Sequence, residues 1–251
     1  YPPIQGATGT LLAELAGALV QAEWNVTVLT GPLADGKASN VSESGVRVVR
    51  VGGFAVSKDH LLRRALAYLL LYPAFLWRAL TLGPVDVVVT KTDPPMLFVL
   101  GALVGLLRRV RIVHWAQDLY PEVAESLGVL RPAGLPARLL RRCSTLALRR
   151  HDRVIAIGRC MRERLVGRGL DPAKLRVVPN WPVDTVRSLD HAANPLRTRL
   201  GVQDRFVVMY SGNMGRAHRF APLLDAAAHL AEKAPTVCFL FVGDGPQLPW
   251  I

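Results

Sequence analysis

The sequence predicts an α/β protein built on two doubly wound parallel sheets, and three observations predict it. From residue 10 to residue 178 short apolar runs alternate with helical patterns, which implies parallel strands joined by helical crossovers. The alternation breaks at Pro179-Asn180-Trp181-Pro182, and Thr185 to Gly201 reads as a crossing between domains. It then restarts, because residues 206 to 246 read as strand, glycine turn, helix and strand. The expected division is a first domain over 1–182 and the start of a second over 183–251.

Each element has its own signal. Thr10 to Gln21 carries Leu11, Leu12, Leu15 and Leu19 at helical spacing, and Thr8 is placed to cap that helix. Asn25–Thr30 and Val46–Val51 read as strands around a polar loop containing Gly36, Asn40 and Gly45. His60 to Leu82 reads as a helix, Val85–Thr90 as a strand, and Met96–Leu107 as an apolar helix. Further strands are expected at Arg111–Trp115, Arg153–Ile157 and Leu175–Val178, with helices between them. In the second domain Phe206–Tyr210 is short, apolar and rich in β-branched residues, as a strand buried on both faces should be, and a helix should start near Ala217. The chain opens on Tyr1-Pro2-Pro3 and closes on a lone strand. The expectation is therefore that a first strand is missing and that the second domain is truncated.

Composition narrows the partners. The net charge is +12, with 26 Arg and 5 Lys against 19 acidic residues, which favours anionic membranes, nucleic acid or phosphorylated substrates. Cys143, Cys160 and Cys238 lie far apart with no CxxC, so neither a disulfide framework nor a zinc cluster is expected, and a reducing cytosol fits. Met96–Leu107 is too short to span a bilayer, and Leu61–Leu82 is broken by Arg63, Arg64 and Arg78, where a span needs roughly 20 apolar residues. The second segment has an interfacial alternative, with Tyr68, Tyr72 and Trp77 entering the headgroup region. Arg138, Arg141, Arg142 and Arg149 should share one helical face, with Cys143 and Leu146 turned away. No aromatic side chains are interleaved with them, so a solvated or membrane-facing surface is expected and nucleic acid is not.

Three constellations could carry chemistry. Gly6-Ala7-Thr8-Gly9 sits where a first strand would hand over to a helix, either as a backbone cradle for an anion or as an ordinary tight turn. It is GxxG and not GxGxxG, and Leu29-Thr30-Gly31 stands where a dinucleotide fold keeps its acidic ribose ligand, so a nicotinamide or flavin enzyme is disfavoured. His114 to Glu122 is the densest polar cluster of the first domain and follows an apolar strand, so it should project at the sheet's C-terminal edge. There Asp118, Gln117 and Glu122 could bind sugar hydroxyls, and a carboxylate could orient or deprotonate an acceptor hydroxyl. The alternatives are that Asp118 caps the next helix, that Glu122 is a solvated first-turn acid, and that His114 is a core histidine. Third, Ser211 to Arg216 joins a strand to a helix, where glycines let the backbone approach a phosphate and free helix N–H groups point at it. There is no DxD, HExxH or GxSxG, so metal-dependent sugar transfer, zinc hydrolysis and serine hydrolysis lack support.

Taken in order, Tyr1-Pro2-Pro3, Gly6 to Gly9, Trp115 to Glu122, Val178 to Trp181, Tyr210 to His218 and Phe241 to Pro246 resemble the retaining glycosyltransferases of family 4, which have the two-domain, Rossmann-like GT-B fold. The resemblance is greatest to the branch that builds bacterial surface polysaccharides, of the WbuB and WcaI type, and it covers essentially the whole chain. It implies an acceptor-side first domain and a nucleotide-sugar-binding second domain. Gly6, Thr8 and Gly9 would lie under the donor phosphates, and Gly212, Asn213 and Arg216 would form the diphosphate turn, with Arg219 as a second charge and Gly243 and Gly245 on the closing turn. Transfer would be retaining and without a metal or other cofactor, the departing diphosphate being stabilised by helix dipoles and basic side chains. The acceptor would be a lipid-linked glycan, handled on the cytoplasmic face of the plasma membrane. Many relatives keep a His where Gln117 stands, which moves any base role to Asp118. The family's paired glutamates would fall beyond Ile251, so this stretch by itself is expected to be inactive. Two rival readings are a nucleotide-sugar epimerase of the same fold, separable by acceptor dependence, and a non-catalytic membrane-surface protein, separable by an absence of nucleotide binding.

Overall fold

The computed structural model describes residues 1, 7–32, 39–52, 61–182, 188–215 and 218–251. By its internal contacts the chain divides into one unit of Tyr1–Glu125 with Leu130–Val183, and a second of Asp184–Ile251 with Ser126–Val129.

In the first unit, helix α1 (Ala7–Gln21) buries Leu11 and Ala16. It ends with Glu23 in the left-handed region, the Glu23 N–H on the Val20 carbonyl and the Trp24 N–H on the Leu19 carbonyl, which satisfies two of the helix's open carbonyls. Strands β1 (Thr27–Thr30), β2 (Ser39–Glu43) and β3 (Val46–Arg50) form a sheet of order β1-β3-β2. Strand β1 runs parallel to β3, with Val28 opposite Val48, whereas β2 runs antiparallel. Residues 39–43 were expected to be loop. A two-residue turn with positive φ at Ser44 and Gly45 folds them back as a hairpin, because that geometry matches the twist of the flanking strands. Val28, Val46 and Val48 close one core cluster against Ala16 of α1.

Helix α2 (Leu61–Thr81) lays Leu71 and Phe75 with Val51 in a second cluster. Strands β4 (Val87–Lys91), β5 (Arg111–Ala116), β6 (Arg153–Ala156) and β7 (Leu175–Val177) form an all-parallel sheet in that order. Between them run α3 (Leu97–Arg108), α4 (Glu122–Ser126), α5 (Leu135–Arg150) and α6 (Arg159–Gly167). The largest core cluster gathers Phe98 of α3, Ala147 and Leu148 of α5, Val154 and Ala156 of β6, and Leu165 of α6. Arg168 closes α6 and ties the helices together. Its guanidinium donates to the Ser144 hydroxyl at 2.6 Å and pairs with Glu122 at 3.2 Å, so Glu122 is an ion-pair partner and not simply a solvated acid.

The second unit holds α7 (Pro195–Arg199), capped by the Asn194 side chain on the Leu196 N–H at 3.0 Å, then β8 (Phe206–Ser211), α8 (Ala221–Lys233) and β9 (Val237–Val242). Strands β8 and β9 pair in parallel, Phe206 opposite Val237 through Ser211 opposite Val242. Strand β8 is not buried on both faces as expected, since Phe206 and Met209 are exposed. The expected helix start near Ala217 is also displaced. Residues 216–217 lie outside the described residues, and α8 begins at Ala221, where Pro222 presets the first turn and has no N–H to donate to an earlier carbonyl.

Candidate functional site

The polar cluster of the first unit assembles at the C-terminal ends of β4, β5 and β7, the edge where open parallel sheets place ligands. Thr92, immediately after β4, is the organiser. Its buried hydroxyl oxygen accepts from the Gln117 N–H at 2.8 Å and from the Asp118 N–H at 3.3 Å. This locks the exit of β5, so that Gln117 turns inward and Asp118 turns to solvent. The Gln117 amide is held by Asn180 in a reciprocal pair, Nε2 donating to Oδ1 at 3.1 Å and Asn180 Nδ2 donating back at 2.8 Å. Trp181 stacks on Trp115 with ring centroids 5.6 Å apart and planes 14° from parallel, and its indole N–H donates to Glu14 of α1 at 2.6 Å.

Charge concentrates around these groups. Partial desolvation, and secondarily the Asp93 charge, raise the Asp118 carboxyl above its ordinary range, which favours proton uptake there. Lys91 sits 4.3 Å from the Trp115 ring centroid and donates to the Thr8 carbonyl at 2.5 Å. Burial lowers its ammonium to about 8, against a smaller opposing effect of Asp93. A raised carboxyl and a lowered ammonium at one sheet edge can orient a hydroxyl and exchange its proton.

Asp118 is no helix cap, because α4 starts only at Glu122 and the Asp118 bond found here is made by its backbone. His114 is a core histidine, 1% exposed, with Nδ1 3.1 Å from the Thr90 hydroxyl. Thr8 and Gly9 stand inside the first turn of α1, so Thr8 is not its cap; Gly6 lies outside the described residues. Thr92, Asn180, Trp181 and Lys91 were not singled out from sequence as site residues. Their signal was present in the polar run after an apolar strand and in Pro179-Asn180-Trp181-Pro182, but their meeting depends on strand order.

In the second unit the glycine turn extends the sheet. The Gly212 N–H donates to the Val242 carbonyl at 2.9 Å, and the Met214 N–H to the Asp244 carbonyl at 2.8 Å. Gly243 and Gly245 have φ near +150°, and a Cβ on Gly243 would lie 1.9 Å from the Gly212 carbonyl oxygen. These glycines are therefore required by backbone packing itself. Asn213 is exposed, and its carbonyl accepts from the Tyr210 hydroxyl at 2.9 Å. Arg219 is exposed, and Arg216 lies outside the described residues. The helix that follows offers few free amides, which corrects the expectation of a helix N-terminus aimed at a phosphate. Pro222 has none, and the Leu223 and Leu224 N–H groups both donate to the Phe220 carbonyl. An anion here would be held by turn amides and side chains. Among the described residues no three His, Cys, Asp or Glu side chains gather as a metal site.

Comparison with known proteins decides the family. The profile of the glycosyl transferase 4-like domain matches residues 6–181. The chain belongs to the glycosyl transferase 4-like family. It is 27% identical over 246 residues to the "Probable glycosyltransferase WbjE" of Pseudomonas aeruginosa, covering 96% of this chain and 60% of that protein. Among solved structures, HepE of Anabaena in complex with UDP and glucose superposes with a TM-score of 0.63 at 20% identity, covering 96% of this chain and 58% of HepE. Sucrose-phosphate synthase of Thermosynechococcus elongatus gives 0.60 at 19% identity, with the same shares covered. These two likenesses concern the fold: parallel α/β units of the kind found in GT-B glycosyltransferases. The chain spans about three fifths of the length of each of these relatives.

Proposed function

We propose that this family member is part of a glycosyltransferase that moves a sugar from a nucleotide-diphosphate donor to a lipid-linked polysaccharide precursor, with retention and without a metal. The observation that carries the reading is the Asp118 carboxyl, raised and solvent-open at the sheet edge of a glycosyl transferase 4-like domain, beside the clamped Gln117–Asn180 pair. Asp118 is the acceptor-orienting group. Gln117 positions the loop, because its amide is already engaged by Asn180. The turn of Gly212, Asn213 and Arg216, with Arg219, Gly243 and Gly245, is assigned to the donor diphosphate, and Gly6, Thr8 and Gly9 are assigned to phosphate binding. Positively charged side chains and oriented amides at the leaving diphosphate supply stabilisation where charge develops.

The UDP-bound state of HepE supports a uridine donor as the first to try. The reading places the enzyme at the cytoplasmic face of the plasma membrane, in surface-polysaccharide synthesis of the WbuB and WcaI type, with no nucleic-acid partner. Transfer should be assayed on the whole reading frame with a panel of nucleotide sugars in excess EDTA. Acceptor-dependent transfer with retained anomeric configuration is the expected result. Strict loss of activity under chelation would end the metal-free proposal, and conversion of the donor without an acceptor would replace transfer by epimerisation.

A further inference from the structure

Helix α3 packs between α2 and α5 on one face of the first unit's sheets. The inner faces of these helices are well buried, through Phe75, Phe98 and Leu148. Their outer faces are apolar as well. Leu69 and Trp77 of α2, Leu106 and Leu107 of α3, and Leu139 and Leu146 of α5 are all exposed, Trp77 to 71% and Leu146 to 62%. Scattered exposed leucines are ordinary, but three adjacent helices that all present them make a patch.

The charges on these helices have one sign. Together α2, α3 and α5 carry nine arginines and no acidic residue. On α5, Leu135, Leu139 and Leu146 fall on one stripe by helical spacing, and the exposed Arg138 and Arg142 run along its edge. This corrects the expectation that Cys143 and Leu146 turn away from the basic face, since both are exposed, while Arg141 pairs with Glu125 at 2.5 Å. Tyr72 likewise turns inward, its hydroxyl donating to the Pro95 carbonyl, so on α2 the outward aromatic is Trp77.

We infer that the outer face of the α2–α3–α5 layer is a docking surface for an anionic lipid bilayer, with the leucines and Trp77 entering the acyl boundary and the flanking arginines meeting lipid phosphates. A second copy of the chain fits poorly, because face-to-face pairing would set arginines against arginines with no carboxylate between them. No helix among the described residues is long and apolar enough to cross a membrane, so the layer lies on the surface. The inference deepens the proposed membrane setting and rests on it for biological sense, but its test is independent of catalysis.

The test is co-sedimentation of this chain with phosphatidylglycerol-containing and pure phosphatidylcholine vesicles over a salt series, with thermal melting of every variant as a folding control. Wild type should bind the anionic vesicles and lose binding progressively with salt. Leu139→Ser with Leu146→Ser should lower the partition coefficient at least tenfold with an unchanged melt, and so should Trp77→Ser with Leu106→Ser. Arg199→Ser with Lys233→Ser, two exposed basic residues of the second unit, should stay within about twofold of wild type, allowing for the small electrostatic share of two basic residues. If layer variants bind as wild type does, the surface is elsewhere and this inference falls while the membrane setting stands. If the chain ignores anionic vesicles even at low salt, both fall. If instead the chain self-associates and the Leu→Ser pair restores a monomer, the patch is an interface between copies and the bilayer is the wrong occupant.

Discussion

The two units bury their strands to very different degrees. In the first, β5 and β6 are flanked by strands on both edges, and Ile112, His114, Trp115, Val154 and Ala156 are almost fully covered. In the second, β8 and β9 pair only with each other among the described residues, and the buried side chains come mainly from turns, Met214 and Phe220. A parallel strand becomes a core strand when both edges are paired and both faces are covered. Apolar composition alone does not achieve this, as Phe206 shows at 70% exposed.

The sharpest way to break this comparison is to truncate one phenylalanine in each unit. Phe98→Ala should cost about 3–5 kcal/mol, since it empties the centre of the largest cluster, whereas Phe206→Ala should stay within about 0.5 kcal/mol. Equal losses in denaturant titrations would mean that β8 is covered in solution. The functional counterpart is Asp118→Asn in the whole reading frame. Turnover should fall by about two orders of magnitude with nucleotide affinity nearly unchanged, because Asp118 belongs to the first unit and the proposed diphosphate turn to the second. Unaltered turnover would leave Asp118 without a role.

A smaller effect tests the backbone packing of the second unit. Gly243→Ala forces a Cβ against the Gly212 carbonyl and should cost about 1–3 kcal/mol. Hydrogen exchange should rise at the β8 and β9 amides while β4 to β7 stay protected; uniform loss would show that the units unfold together.

The last test concerns pH and belongs to the first unit. His114 and His151 lie 5.8 Å apart between rings, and burial depresses both, His114 to about 3. Their folded values lie below the unfolded value of about 6.5, so acid protonates the unfolded chain first. Their stabilisation is complete above about pH 6.5 and is lost as the pH falls below it, for His114 by about 1.4 kcal/mol per pH unit, and His151 adds to the loss in the same direction. Melting between pH 7 and 5 should report this on the first unit, and a flat profile would refute it.

Much of the first unit was legible because its strands announce themselves. NVTVLT, VDVVVT and RIVHW are short apolar runs bounded by turn residues, and each overlaps a strand to within two residues at either end. The β2 strand was not legible, because SNVSE has a single aliphatic residue and is held by antiparallel pairing with β3. The start of α8 was misread because glycines signalled a turn while Pro222 set the boundary. For the candidate site, the placement of Asp118 and Gln117 was legible, since a polar run after an apolar strand must emerge at a sheet edge.

By itself the sequence determined the α/β class, the order of most elements and a strongly basic surface, because periodicity, β-branching and charge are local or additive properties. Tertiary structure alone decided the rest. Thr92 meets Gln117 across 25 positions and Asn180 meets it across 63, contacts that exist only once β4, β5 and β7 are ordered in one sheet. It also decided which apolar faces stay outside. A leucine stripe on α5 reads the same from sequence whether it covers a core or faces outward, and only the packing of Ala147 and Leu148 against β6 shows that this one faces outward.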